Sequence, residues 1–325
     1  MPKKTVRVLS IDGGGIRGII PALVLAKIEK LTGKPIYQLF DLIAGTSTGG
    51  ILALGLTTPG SEVGKPAYSA AQMINLYENE GKKIFSTDVF HKINSLGNIR
   101  DEKYPSSGIE GVLDRYFGQS RLKDVLTDVL ITSYEIERRV AWFFKSSKAK
   151  ADPESDFLIK EVARSTSAAP TYFQTNRIDV STEAQYYALI DGGVYANNPA
   201  MCAYVEAKNK FKDAEEVLVV SLGTGTRTKR IPYDKAKDWG LVQWVQPLLG
   251  IVFDGVDNTV DYQLNTLLSD TNNYYRFQTK LDESNEQMDD VSSDNMRDLK
   301  LLAEKLIDEQ AKKLEELCNR LVLVD

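Results

Sequence analysis

The chain has 325 residues, of which 42% are hydrophobic and 26% are charged, values typical of a folded globular protein. Its net charge of −5 argues against a nucleic-acid polymer as the main partner, because duplex binding needs a strongly basic surface. The two cysteines, Cys202 and Cys318, lie far apart outside any CxxC spacing, so we expect neither a disulfide framework nor a metal site.

The sequence contains no long apolar segment. Two lysines near the N-terminus lead directly into strand-like residues and three glycines, without the apolar stretch of a secretory signal. No segment holds about 18 consecutive apolar residues, the length that crosses a bilayer. We therefore expect a cytoplasmic protein whose contact with a membrane, if it makes one, is peripheral.

Strand-like and helix-like segments alternate from the N-terminus. Residues 5–11 (TVRVLSI) predict a buried strand, and residues 16–33 predict a helix that ends at Gly33. The segments 41–45 (DLIAG) and 49–58 (GGILALGLTT) repeat the order of strand, glycine turn and helix. This alternation predicts an α/β fold in which neighbouring strands run parallel.

The rest of the chain predicts one large domain with an insertion and a helical tail. Residues 57–121 are more polar than their surroundings, and we interpret them as an insertion or lid at the active edge of the sheet. We assign residues 1–290 to a single catalytic domain. Leucines at three-and-four spacing predict an amphipathic helix over residues 291–325, in which Gln310 breaks a strict heptad. That helix packs on its own domain or, alternatively, pairs with a partner helix.

One serine stands in a distinctive glycine-bracketed turn. Residues 45–49 (GTSTG) fit the Gly-x-Ser-x-Gly pattern of a nucleophile elbow, between a predicted strand and a predicted helix. Gly45 and Gly49 suit the sharp bend because a side chain at either position would clash with the turn. The pattern predicts that Ser47 is a nucleophile, and the alternative is a glycine turn that only packs helix against strand.

A nucleophilic serine needs an adjacent base. The single histidine, His91, follows a polar loop and lies at no strand end, so we expect a carboxylate instead. Asp191 ends the apolar segment YYALID and precedes two glycines. Because sites in open α/β sheets lie beyond the carboxyl ends of the strands, Ser47 and Asp191 are expected to meet there. An aspartate that merely caps the turn is the alternative.

The segment 12–18 (DGGGIRG) supplies a third candidate element. Its three glycines allow successive N–H groups to converge on a phosphate or on a tetrahedral oxyanion. The spacing is not that of a Walker loop, since no Gly-Lys-Ser/Thr follows. It matches the dinucleotide fingerprint only in part, because no acidic residue follows a second strand at the usual distance. We therefore expect no bound cofactor.

These three motifs, in this order, closely resemble the patatin-like phospholipases. The similarity covers roughly residues 5–225 and includes STSAAPTYF at 165–173 and VVSLGTGT at 219–226. It implies a three-layer α/β/α sandwich with a central, mostly parallel sheet, and a Ser–Asp dyad without histidine. The site residues that it implies are Ser47 as nucleophile, Asp191 as base, the N–H groups of Gly13, Gly14 and Gly15 as oxyanion hole, and Arg17 as a brace for that loop.

The expected function is hydrolysis of fatty-acyl esters of glycerolipids, including membrane phospholipids, by a phospholipase A or lysophospholipase type of enzyme. A different acyl transferase or esterase on a similar elbow is one rival, although malonyl-type transferases require a histidine partner. The other rival is a nucleotide-responsive effector or binding module, in which lipase activity is secondary or switched on by a cyclic nucleotide. The oligomeric state is left open.

Two apolar segments have alternative uses. Residues 19–28, together with the insertion, either line a groove for acyl chains or pack in the core. Residues 239–253 combine two tryptophans with an aliphatic run beside the basic segment 227–230. They either contact phospholipid headgroups or form a buried helix next to a solvated loop. Residues 226–325 otherwise contain no recognisable motif.

Overall fold

The structure, a computed structural model, describes residues 4–86, 103–180 and 185–323. Its strands are β1 (Thr5–Ile11), β2 (Leu42–Gly45), β3 (Asp128–Glu135), β4 (Val140–Lys145), β5 (Asn176–Asp179), β6 (Tyr186–Asp191), β7 (Glu216–Leu222) and β8 (Tyr274–Phe277). Its helices are α1 (Ile19–Thr32), α2 (Ile36–Leu39), α3 (Thr48–Thr57), α4 (Ala70–Asn75), α5 (Gly81–Ile84), α6 (Ser106–Phe117), α7 (Ser146–Ala151), α8 (Ile159–Thr166), α9 (Gly193–Ala196), α10 (Ala200–Lys210), α11 (Tyr233–Ala236), α12 (Leu241–Leu267), α13 (Ser293–Glu309) and α14 (Ala311–Val322).

The strands form one mixed sheet in the order β5-β6-β3-β2-β1-β7-β8, with β4 also paired to β3. The pairs β1–β2, β1–β7, β2–β3 and β7–β8 are parallel. The pairs of β3 with β4 and with β6, and of β5 with β6, are antiparallel. The parallel part therefore occupies one side and the centre of the sheet, and the antiparallel part lies on the other side.

Helices cover both faces of this sheet. One apolar cluster joins Leu9 and Ile11 of β1 to α1, α3, α8 and the tail helices. A second cluster joins Val6 and Val8 of the same strand to α10 and α12. Because β1 is buried on both faces, its apolar residues do not simply alternate with polar ones, and the adjacent Val8 and Leu9 belong to opposite clusters. The predicted three-layer α/β/α sandwich with a mostly parallel sheet is confirmed.

The first elements agree closely with the sequence prediction. Strand β1 has the predicted bounds, and α1 ends at Gly33, whose left-handed φ of 66° is the usual conformation of a glycine that terminates a helix. All ten residues of α3 are buried, which explains why its sequence is apolar on every side. Two strands, β5 and β8, were not predicted, since each is only four residues long and, unlike the equally short β2, includes at least one charged residue.

The tail forms two helices in place of one. Helix α13 ends at Glu309 and α14 begins at Ala311, so the interruption falls at Gln310, where the leucine heptad also breaks. The leucines at 299, 306, 314, 317 and 321 are buried in the same cluster as α1. The apolar side of the tail is therefore used within the chain. Among the residues described, no helix has both the length and the apolar character needed to cross a bilayer.

Candidate active site

Ser47 lies on the sharp turn between β2 and α3. Its backbone has φ 55° and ψ −123°, a conformation that residues other than glycine rarely adopt. A Cβ atom on Gly45 would overlap the carbonyl oxygen of Gly49, and one on Gly49 would overlap the carbonyl oxygen of Ile11. Both glycines are thus required by close backbone contacts. At Gly45 the contact lies within the turn, as predicted, whereas at Gly49 it is with the end of β1.

The structure brings Ser47 and Asp191 into contact. The Ser47 hydroxyl lies within reach of the Asp191 carboxylate, whose pKa it lowers as a hydrogen-bond donor, and both residues line one cavity. Asp191 is 3% exposed. The Ser47 backbone N–H donates to the hydroxyl oxygen of Thr166 at 2.8 Å. Thr166 is the last residue of α8, so a helix distant in sequence fixes the position of the turn. The backbone of Ser47 is therefore held by α8.

Ser47 and Asp191 come together through a different strand arrangement from the one predicted. Ser47 follows a parallel strand, but Asp191 ends β6, which runs antiparallel to β3. In the sheet, Gly45 pairs with Ile131 and Asp191 pairs with Ser133, two residues further along β3. Asp191 therefore approaches the elbow from beyond the end of β2. The carboxyl ends of the two strands point towards each other.

Burial makes Asp191 an unusually basic carboxylate. Loss of solvation raises its pKa from 3.8 to about 7, although hydrogen bonds from the Ser47 hydroxyl and from the Gly193 N–H oppose the change. The Gly193 N–H donates to Oδ1 at 2.7 Å. The carboxyl group is accordingly near its midpoint of ionisation at neutral pH, and it can accept a proton from the hydroxyl that contacts it.

The glycine loop after β1 lies beside the elbow, but its N–H groups are not equivalent. The Gly13 N–H donates to the backbone carbonyl of Asn197 at 3.0 Å, and the Gly13 carbonyl accepts from the Thr224 hydroxyl at 2.7 Å. Within the described part of the chain, the N–H groups of Gly14 and Gly15 have no protein acceptor. Both glycines border the same cavity as Ser47. An oxyanion hole at this loop would thus use Gly14 and Gly15 more readily than Gly13.

Arg17 contacts the loop from the protein interior. Its Nε–H donates to the Gly14 carbonyl at 3.2 Å, and the side chain is 4% exposed. Burial, together with the nearby Arg227, lowers the pKa of Arg17 from 12.5 to about 10, so the guanidinium remains charged at neutral pH. This contact has the geometry of the brace that the resemblance implies.

A buried ionic cluster supports the residue before the loop. The Arg276 guanidinium donates to Asp12 at 2.6 Å and to Asp257 at 2.5 Å, and it also donates to the Ser221 hydroxyl at 2.7 Å. Asn198 donates to the same Asp257 oxygen at 3.0 Å. Arg276 is on β8 and Asp257 is on α12, so the C-terminal third of the chain holds the first residue of the glycine motif.

Ser47 and Asp191 open into an apolar cavity, and among its described lining residues Asp191 is the one charged side chain. The apolar lining residues are Ile16, Ile51, Leu76, Tyr77, Ile84, Phe85, Ile109, Ala169, Tyr172, Phe173, Phe253 and Met288. Several of them come from the segment 57–121, as expected for a groove. Helix α1 contributes none, because Ile19 and Ile20 and the residues that follow pack in the core.

Several contacts escaped the sequence analysis. Thr166 and Thr224 lie in the stretches 165–173 and 219–226, which the resemblance singled out without giving them a role. Asn197 follows the DGG motif, whereas Arg276 and Asp257 lie in the region without motifs. His91 lies outside the residues described. None of these polar contacts has a local pattern, since each joins parts of the chain that are distant in sequence.

Comparison with known proteins identifies the family. The model of the family described as patatin-like phospholipase matches residues 9–204. Patatin-like protein 1 of Oryza sativa subsp. indica is 31% identical over 99% of this chain and 86% of its own length. Patatin-like protein 4 of Arabidopsis thaliana is 31% identical over 93% and 83%, respectively. A potato protein named probable inactive patatin-3-Kuras 1 is 33% identical over 93% and 86%.

A solved structure, that of VipD from Legionella pneumophila, aligns with a TM-score of 0.37 and 16% sequence identity, over 95% of this chain and 67% of that chain. The family model alone covers well over half of the 325 residues. From the family match and the similarity to full-length relatives, we conclude that the chain belongs to the patatin-like phospholipase family.

Proposed function

We propose that the protein is a lipid acyl hydrolase of the phospholipase A or lysophospholipase type, which cleaves fatty-acyl esters of glycerolipids through an acyl-serine intermediate. The observation that carries this proposal is the contact between the Ser47 hydroxyl and the buried Asp191 carboxylate at the end of an apolar cavity. Family membership supports lipid acyl hydrolase activity in general. A relative named probable inactive shows that membership alone does not establish activity.

In the proposed reaction, Asp191 accepts the hydroxyl proton as the Ser47 oxygen attacks the ester carbonyl carbon. The negative charge that develops on the carbonyl oxygen is stabilised by the N–H groups of Gly14 and Gly15. The proton passes to the departing alcohol, and the fatty acyl group stays on Ser47. Water then gives a proton to Asp191 as its oxygen attacks the acyl-serine; the bond between the acyl carbon and the Ser47 oxygen breaks, Asp191 returns the proton to that oxygen, and the fatty acid is released.

The electrostatics of the site suit this chemistry. A carboxylate at the usual pKa of 3.8 would be a weak base for a serine, and burial raises the pKa of Asp191 to about 7. The hydrocarbon chain of the fatty acid would occupy the apolar cavity. Its transfer from water to this cavity would favour substrate binding. In this proposal the reacting ester would lie at Asp191, the one charged side chain among the described lining residues.

Labelling with a fluorophosphonate probe tests the nucleophile directly. We expect wild-type protein to gain one adduct by intact-mass spectrometry, and Ser47→Ala to gain none. Ser107→Ala removes an exposed serine on α6 and should label like the wild type. A folded wild-type protein that does not label, or an adduct on Ser47→Ala, would contradict the proposal.

A panel of lipid substrates then defines the reaction. Diacyl phospholipids, lysophospholipids and triacylglycerols are compared by the fatty acid released from wild type and from Ser47→Ala. Glycerolipid hydrolysis that depends on Ser47 supports the proposal. The rival function, a nucleotide-responsive effector, gains no specific observation from the described residues, because the cavity beside the glycine loop is mainly apolar. A folded protein without hydrolase activity that binds a cyclic nucleotide would support that rival.

A further inference from the structure

The first half of α12 extends an apolar surface into solvent. Leu241 and Val242 are 83% and 84% exposed, and Trp244, Leu248 and Ile251 are also exposed. Leu241, Trp244, Leu248 and Ile251 follow one another at intervals of three and four residues, so they lie along one side of the helix. Exposed apolar side chains are common singly, but a contiguous group of them indicates a binding surface.

The opposite side of α12 holds the helix on the protein. Phe253, Val260 and Leu264 are buried, and the latter two belong to the apolar cluster beneath the sheet. The exposed stripe is therefore not needed to attach the helix to the fold. The sequence from Trp239 to Phe253 contains no charged residue, which is unusual for a segment with so much exposed surface.

Basic residues adjoin this surface. Residues 227–238 contain five lysines and arginines but only two aspartates, in a chain whose net charge is −5. The Arg227 guanidinium packs against α12 at Gly250. The Glu286 carboxylate accepts hydrogen bonds at 2.7 Å from the N–H groups of Thr228 and Lys229, which fixes the basic segment beside the helix.

The same helix reaches the candidate active site. Phe253, at the end of the uncharged run, lines the cavity that contains Ser47 and Asp191. Near the other end, the rings of Trp239 and Trp244 pack edge to face with their centroids 5.1 Å apart. Helix α12 thus carries both the exposed stripe and a residue of the cavity wall.

From these observations we infer that the exposed apolar side chains of α12, which we call the docking face, bind the surface of a phospholipid bilayer that contains anionic lipid. They are Leu241, Val242, Trp244, Leu248 and Ile251. The apolar side chains would enter the boundary between headgroups and acyl chains, as those of interfacial helices do. The basic segment would lie among the anionic headgroups. Docking would bring the cavity mouth to its lipid, an inference that rests on the proposed function. Of the two alternatives from the sequence, the exposure of this helix favours contact with headgroups.

Binding is measured separately from catalysis by using the Ser47→Ala variant throughout. Its sedimentation with vesicles of phosphatidylcholine alone is compared with that of vesicles containing about 30% phosphatidylglycerol. We expect tighter binding to the anionic vesicles and weaker binding at high salt. Adding Leu241→Ser and Val242→Ser should weaken vesicle binding about tenfold or more, since two largely exposed apolar side chains no longer leave water.

The matched control is Leu301→Ser, which removes an apolar side chain that is 55% exposed on α13, in the opposite layer of the sandwich. This control should bind vesicles like its parent. Circular dichroism and light scattering of each variant monitor folding and oligomeric state. Unchanged vesicle binding after Leu241→Ser and Val242→Ser would overturn the inference. So would a change from dimer to monomer without any vesicle binding, because the face would then join two copies of the chain.

A second comparison separates this inference from the proposed function. With Ser47 present, Leu241→Ser and Val242→Ser should slow hydrolysis of vesicle lipid at least tenfold, and hydrolysis of a soluble short-chain ester should remain unchanged. Equal losses on both substrates would contradict a docking role. Failure of the wild type to hydrolyse either substrate would reject the proposed function, and the vesicle binding of Ser47→Ala would still decide whether the face docks.

Discussion

The backbone of Ser47 has a positive φ of 55°, which is strained for any residue with a side chain. The strain arises from the Cβ atom and not from the hydroxyl group. A positive φ of this kind costs roughly 1–3 kcal/mol in a residue with a side chain, and glycine avoids most of this cost. Ser47→Gly and Ser47→Ala both remove the nucleophile, but we expect the glycine variant to be about 1 kcal/mol more stable. Urea denaturation of the two variants measures this difference. Equal stability would show that the turn imposes little strain.

The raised pKa of Asp191 predicts a pH dependence of activity. The carboxylate form is the base, so kcat/KM should rise as pH increases through about 7 and then level off. Asp191→Asn should lower kcat/KM by about 10²–10⁴ and remove this rise. Activity is measured with a soluble ester, so that lipid binding does not contribute. A profile that is flat between about pH 5 and 9 would contradict the assignment of Asp191 as base.

The raised pKa of Asp191 also predicts how the free energy of unfolding changes with pH. Activity should rise with pH, whereas this free energy should fall. Between pH 3.8 and about 7 the folded protein retains a proton at Asp191 that the unfolded chain releases, so the free energy of unfolding falls as pH rises through this range. An asparagine side chain at this position cannot ionise. The stability of Asp191→Asn relative to wild type should therefore increase from about pH 4 to pH 7 and change little above it. Thermal denaturation across this range tests the sign, and a constant difference would contradict it.

At the scale of single elements, replacing glycine by alanine should have opposite effects on stability in two helices. A Cβ on Gly49 of α3 would overlap the carbonyl of Ile11, whereas a Cβ on Gly255 of α12 would meet nothing within 4 Å. We expect Gly49→Ala to destabilise the protein by at least about 1–3 kcal/mol, because backbone atoms must move apart. Gly255→Ala should stabilise it by about 0.5–1 kcal/mol through helix propensity.

Chemical denaturation compares these two substitutions under the same conditions. Both replace glycine by alanine within a helix, so the chemical change is matched and only the surroundings differ. If both substitutions lowered the free energy of unfolding equally, α3 and β1 would be able to move apart at the elbow without a loss of stability, which would contradict the prediction. Labelling by the fluorophosphonate probe should also be lost from Gly49→Ala but retained by Gly255→Ala, since Gly255 lies away from the elbow.

At the scale of the whole molecule, Arg276 joins the C-terminal third of the chain to the glycine motif. Replacing it with methionine would leave the Asp12 carboxylate buried without its cation, and we expect a loss of about 3–5 kcal/mol in the free energy of unfolding. Arg297→Met is the control. Arg297 also contacts carboxylates, but its side chain is 64% exposed, so its loss should cost less than about 1 kcal/mol.

Urea denaturation of both arginine variants decides this prediction. The same variants should differ in labelling by the fluorophosphonate probe, measured under conditions where each is folded. We expect slower labelling of Arg276→Met, because Asp12 immediately precedes the loop beside Ser47, and unchanged labelling of Arg297→Met. If the two substitutions had equal effects on stability, the buried cluster would not support the site.

Much of the core was predictable because its signals are local. The apolar residues of β1, the terminal glycine of α1 and the glycines around Ser47 each describe the conformation of a few neighbouring residues. The break in the leucine heptad at Gln310 is also local, but one helix was predicted there and the structure has two. Strand β8 was missed, because its four residues lack the purely apolar character of the equally short β2. Its charged residue, Arg276, is the centre of the ionic cluster.

The sequence by itself determined the elbow and the order of the motifs, since these depend on residue type and spacing. Only the tertiary structure decided how Asp191 reaches Ser47, because an antiparallel strand brings it to the elbow from the opposite direction. The structure also showed that the Gly13 N–H already has an acceptor. Burial raises the pKa of Asp191, and burial is a property of the packed chain that no local run of residues specifies.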